Sequence, residues 1–140
     1  MTVPSDIYAQ LRRDEGVKYD IYVDSEGWLT LGVGHRLRAR ALSDAAVDQI
    51  LRDDVAGITA ELLEAYPWAG QLSGARFGAL QNLAFNLGIA GLGTFVKFLA
   101  ALRQERWKDA AAELLDSEYA RQVGDRAKRL SVQIKEDRWV

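Results

Sequence analysis

Residues 20–35, DIYVDSEGWLTLGVGH, decide the fold. Ile21, Val23, Trp28, Leu29, Thr30, Leu31 and Val33 suit strands, and Asp24-Ser25-Glu26-Gly27 between them has the chemistry of a turn. The stretch predicts a short β-hairpin, the only convincing β segment in the chain. Upstream, Ser5 offers an N-cap and Asp6 a first-turn acid for a helix that places Ile7 and Leu11 one turn apart, ends near Glu15 and stops at Gly16. Glu15 therefore stands at a helix end, just before the hairpin.

Downstream the period becomes helical. Ser43 caps a run in which Ala46, Val47, Ile50, Leu51, Val55 and Ile58 recur at helical spacing up to Tyr66-Pro67, which predicts one long helix. Further helices are expected over about 73–87, ending at Gly88, and over about 94–104, 106–115 and 125–135. No repeat, low-complexity tract or Pro/Ser linker interrupts the chain. The expected class is α+β, mainly α: one domain over 1–140, with a small N-terminal lobe bearing the sheet, a long connecting helix and a larger helical C-terminal lobe.

Composition narrows the chemistry. The chain has 140 residues, enough for one core, no cysteine and a single histidine, so disulfides, thiolate metal sites and a multi-histidine zinc site are excluded. No metal or other cofactor is expected. A net charge of −2 argues against a nucleic-acid partner. The cations Arg121, Arg126, Lys128, Arg129, Lys135 and Arg138 read first as a solvated helix face. Nothing resembles a signal peptide or approaches the ~20 apolar residues of a membrane span, so the expected product is soluble, starts in the cytoplasm and does not insert in a membrane.

Hydrolysis of a glycosidic bond needs an acid to protonate the leaving oxygen and a carboxylate to assist attack from the opposite face. Glu15 and Asp24 can face one cleft because the chain folds back between them, and Thr30 across the hairpin can offer a hydroxyl to a water. Spacing alone leaves the plainer alternative standing, since most exposed carboxylates are solvated surface. Gly27, Gly32 and Gly34 leave room for a ligand to approach the backbone, and equally serve a turn and a bulge.

Asp14-Glu15-Gly16, Ile21-Tyr22-Val23-Asp24-Ser25-Glu26-Gly27 and Thr30-Leu31-Gly32-Val33-Gly34-His35 together resemble the catalytic segment of the phage T4-type lysozymes, the endolysin kind of glycoside hydrolase. The likeness continues through residues 82–88, 107–111 and 125–129 to Trp139. It implies a lysozyme-like fold in which the first helix packs on the C-terminal lobe, with lobes over about 14–50 and 60–140. It implies Glu15 as general acid, Asp24 as the base that activates water, Thr30 as the residue holding that water, and inversion at the anomeric carbon. Arg126 matches the arginine beside the glutamate, and His35 and Asp54 match a structural pair. Arg36, Phe85, Asn86 and Gly91 match saccharide-binding positions.

The substrate so implied is the β-1,4 bond between N-acetylmuramic acid and N-acetylglucosamine in a peptidoglycan strand. A monomer is expected, with a holin giving access to the wall from the host cytoplasm. Phe98 and Glu113 depart from the polar, uncharged residues expected at two cleft positions, and the connection from His35 to Asp54 is shorter than in the T4 protein. Trp68, Trp107 and Trp139 are expected in the core or in lobe packing. Three alternatives remain. A lytic transglycosylase needs one acid and no activated water, and leaves 1,6-anhydro ends. A dead wall-binding module would have lost an acid. A helical interaction domain would neither bind nor cleave peptidoglycan.

Overall fold

A computed structural model describes residues 3–140. It contains α1 (Ile7–Glu15), β1 (Lys18–Val23), β2 (Leu29–Gly32), β3 (His35–Arg36), α2 (Asp44–Ala65), α3 (Gly74–Gly93), α4 (Val96–Arg103), α5 (Trp107–Leu115), α6 (Glu118–Val123) and α7 (Asp125–Glu136), with a 3-10 turn over Pro67–Gln71. The class is mainly helical with a small antiparallel sheet, as expected. The chain divides into two compact units between Gln49 and Ile50, within α2.

In the first unit α1 is capped by Asp6, not Ser5. Asp6 is extended, and its Oδ1 accepts the amide N–H of Ala9 at 2.8 Å, satisfying one of the unpaired donors of the first turn. The sheet has strand order β1-β2-β3. Tyr22 pairs with Thr30, Thr30 with Arg36, and Leu31 with His35. Tyr22, Thr30 and Arg36 therefore form one cross-strand row. The ladder of β1 with β2 is irregular between Lys18 and Tyr22. Thr30 is the one buried residue among the described residues of this unit, at 1% exposure.

The second unit holds the core. Leu62, Leu80, Leu83, Leu92, Phe98, Leu102, Leu114 and Ile134 are fully buried, drawn from α2, α3, α4, α5 and α7. α5 packs on α4 and α7, and α3 packs on α7. Ser73 caps α3 through the Arg76 amide. Gly88 does not end this helix as expected; at φ 71° and ψ 168° it kinks it, and helix resumes to Gly93. That left-handed φ favours glycine. α6, which the sequence did not reveal, is capped by Ser117, whose Oγ accepts from the Ala120 amide at 3.1 Å.

Two expectations about side chains are corrected here. Phe98 is a core residue at 1% exposure, edge-on to Phe95 with ring centroids 6.3 Å apart, so it is no cleft position. Trp139 is 68% exposed rather than core, with its ring against Gly78, where a Cβ would clash. Trp68 and Trp107 do pack on the core, Trp107 with the Arg76 guanidinium 3.8 Å from its ring centroid. The basic C-terminal stretch is partly neutralised by Arg121–Glu118 and Lys128–Asp125 pairs along its helices and by an Arg138–Glu136 pair just past the end of α7.

Candidate active site

An open concavity of about 670 Å³ in the first unit is lined by Glu15, Tyr22, Asp24, Thr30, Gly34 and Arg36, among others. The three residues singled out for chemistry thus share one wall. A concavity of about 570 Å³ in the helical unit, between Tyr66, Trp68, Leu99, Arg103 and Gln104, has no carboxylate in its lining.

Each side chain is placed by local structure. Glu15 is the last residue of α1 and is exposed, reaching into the open concavity. It reaches the hairpin where Gly34 sits. A Cβ built on Gly34 would stand 3.4 Å from Glu15 Oε2, an ordinary contact, so it is the backbone φ of +69° at this turn that favours glycine. Asp24 opens the β1–β2 turn. Its Oδ1 accepts the amide N–H groups of Glu26 and Trp28, both at 2.9 Å, and its Oδ2 accepts Arg36 Nε at 2.8 Å. The Trp28 amide, then the Glu26 amide and the Arg36 guanidinium, hold the Asp24 carboxyl below the ordinary aspartate range, and partial burial opposes them. Asp24 is therefore a firmly ionised carboxylate near neutral pH. Thr30 Oγ1 donates to the Trp28 carbonyl at 2.9 Å, which spends its only proton and leaves lone pairs to accept from a water.

The remaining sequence candidates are distributed as follows. Arg36 lines the concavity, but its guanidinium is committed to two carboxylates, Asp24 Oδ2 and Glu26 Oε2, the latter at 2.5 Å from Nη2. This partnership was missed in the sequence; the signal was the Val33-Gly34 turn, which sets residue 36 opposite residue 30. His35 lies on β3 with Nε2 buried and without a hydrogen-bond partner among the described residues. Asp54 lies on α2 and borders a shallow concavity with Glu61, Phe85 and Gly88 in the helical unit. Their pairing rests on the resemblance alone.

Arg126 donates through Nε at 3.0 Å and Nη2 at 2.7 Å to Asn82 Oδ1, a fork that also escaped the sequence analysis. Its place beside Glu15 likewise rests on the resemblance. Phe85 is 46% exposed just before the Gly88 kink, Asn86 is exposed and Gly91 is half-buried, so none of the three is locked into the core. Glu113 is half-buried beside Lys97, Arg106 and Asp109, a setting in which its charge is not isolated.

The family described as phage lysozyme matches residues 12–133, a span that includes Glu15, Asp24 and Thr30 and most of both units. The chain belongs to the phage lysozyme family. Among curated proteins, this phage lysozyme is 28% identical to the pre-baseplate central spike protein Gp5 of Enterobacteria phage T4, over 87% of this chain and 26% of that protein. It is 24% identical to probable T4-type lysozyme 1 and 26% identical to probable T4-type lysozyme 2 of Dictyostelium discoideum, in each case over 90% of this chain and 91% of the relative. The chain spans about a quarter of the spike protein and nearly the whole of each Dictyostelium protein. As a phage lysozyme it is a glycoside hydrolase of the lysozyme kind, with peptidoglycan as its substrate class.

Proposed function

We propose that this phage lysozyme is an endolysin-type muramidase that hydrolyses the β-1,4 bond between N-acetylmuramic acid and N-acetylglucosamine by a single inverting displacement. The observation that carries it is the shared concavity of Glu15, Asp24 and Thr30. Glu15 gives its proton to the glycosidic oxygen as the bond to the anomeric carbon breaks. A water attacks that carbon from the opposite face and loses a proton to Asp24.

The donor count supports this division of labour. With both Oδ1 lone pairs taken by backbone amides and one Oδ2 lone pair taken by Arg36, Asp24 keeps one acceptor position. Thr30, its proton already given to Trp28, accepts as well. A water that donates one hydrogen to each has its own lone pairs left for the sugar. A lytic transglycosylase would have no use for that second acceptor.

Arg126 is proposed to orient Glu15, His35 and Asp54 to act as a structural pair, and Phe85, Asn86 and Gly91 to line the saccharide path, while the Arg36 guanidinium stays committed to Asp24 and Glu26. The enzyme would act as a monomer, made in the host cytoplasm and reaching the wall through a holin. Incubation with purified peptidoglycan should lower the turbidity of the suspension and release fragments ending in a reducing muramic acid. Fragments ending in 1,6-anhydromuramic acid would overturn the hydrolytic assignment, and an unchanged suspension would point to a wall-binding module.

A further inference from the structure

Asp24 would make a poor base if its carboxylate were free to rotate, because the one remaining acceptor position would wander. The backbone fixes Oδ1 through two amides, but rotation about the carboxylate's other edge is limited by a single side chain, Arg36. Arg36 comes from β3, where its pairing with Thr30 sets it beside the water-holding residue and within reach of the turn.

We propose that Arg36 is a positioning residue for the water-activating carboxylate, holding Asp24 Oδ2 so that its last lone pair points to the water shared with Thr30. This rests on the role assigned to Asp24 above. The guanidinium is itself held from the other side. Nε serves Asp24 while Nη2 serves Glu26, and the Trp28 ring centroid lies 5.7 Å from the guanidinium carbon. Only a planar fork with several fixed donors meets two carboxylates at once in this way.

A purely structural role is the weaker account. Arg36 and Glu26 are 38% and 63% exposed at their side chains, and exposed pairs of this kind contribute little to stability. The Asp24 side chain is 15% exposed, so its contact with Arg36 is better shielded from water than the Arg36–Glu26 pair. A saccharide contact by the guanidinium, implied by its place after the glycine-rich strand, would require it to leave both carboxylates.

The test is steady-state kinetics on soluble glycan strands across pH, for wild type, Arg36→Leu, Arg36→Lys, Glu26→Gln and Asp24→Asn, with circular dichroism as the folding control. The charged and titratable groups around the probe are Glu15 from α1, Tyr22 from β1, Glu26 from the turn and Arg36 from β3. Arg36→Leu is expected to lower kcat about tenfold through lost alignment, to leave KM unchanged and to move the acid limb to higher pH. Arg36→Lys should return the acid limb by restoring the charge but not the full kcat, since an ammonium does not fork. Glu26→Gln, the milder change, frees one side of the guanidinium but keeps its charge, so it should lower kcat in the same direction without moving the acid limb to higher pH, and it serves if Arg36→Leu fails to fold.

Unchanged kcat and acid limb in Arg36→Leu would overturn the inference. So would a raised KM with kcat intact, which would make Arg36 a saccharide contact. In either case an inactive Asp24→Asn leaves the assignment of Asp24 standing. A fully active Asp24→Asn would overturn both.

Discussion

Glu15→Gln is expected to abolish peptidoglycan cleavage, lowering kcat by about 10³-fold, within the range that a positioned general acid supplies. The leaving group is a sugar alkoxide, which cannot depart at a useful rate unprotonated, and glutamine has the shape of the acid without the transferable proton. Folding should survive, because Glu15 is exposed at the end of α1. The amide fits the space beside Gly34 as the carboxyl does. The measurement is initial rate of turbidity loss against melting temperature, and the expected result is a lost rate with an unshifted transition. Retained activity would remove Glu15 from the chemistry.

The second large effect concerns stability. Phe98→Ala should cost about 3–5 kcal/mol, because it empties a fully buried ring position in a core of close-packed leucines. Against a typical total of about 5–15 kcal/mol, that is a large fraction. The edge-on contact of Phe98 with Phe95 would be lost with the ring. Denaturant unfolding should show a lower midpoint, while KM of the remaining folded enzyme should be unchanged, since Phe98 contributes nothing to a saccharide surface. A stable Phe98→Ala variant with weakened substrate binding would restore the cleft position that the resemblance suggested.

Phe98 also shows where the sequence misleads. The resemblance matches its position to a cleft residue of the family, but here α4 turns that residue inward, and burial is decided by packing rather than by spacing. The hairpin was legible because strand-forming residues around an acidic, glycine-bearing turn leave few ways to fold residues 20–35, whereas the roles proposed for Glu15, Asp24 and Thr30 came from the family resemblance. Arg36 was not legible as the partner of Asp24, because β3 is two residues long and too short to show an alternating pattern. Register alone brings it there. α6 escaped for a similar reason, since six residues are too few for a helical period. Asp6 rather than Ser5 caps α1, a one-residue difference between two good capping residues that propensity does not resolve. The Gly88 kink looked like a helix end, because the same left-handed glycine serves either purpose.

The proposed hydrolytic role joins a carboxylate at the end of α1 to a carboxylate and a threonine on the hairpin. The central claim is that Asp24 and Thr30 deliver a water to the anomeric carbon. It is tested most directly by digesting purified peptidoglycan in water enriched in heavy oxygen and following the products by mass spectrometry and proton NMR. The account predicts one heavy oxygen at each new muramic acid reducing end, appearing first as the α-anomer. Products formed without heavy oxygen, or appearing first as the β-anomer, would contradict it.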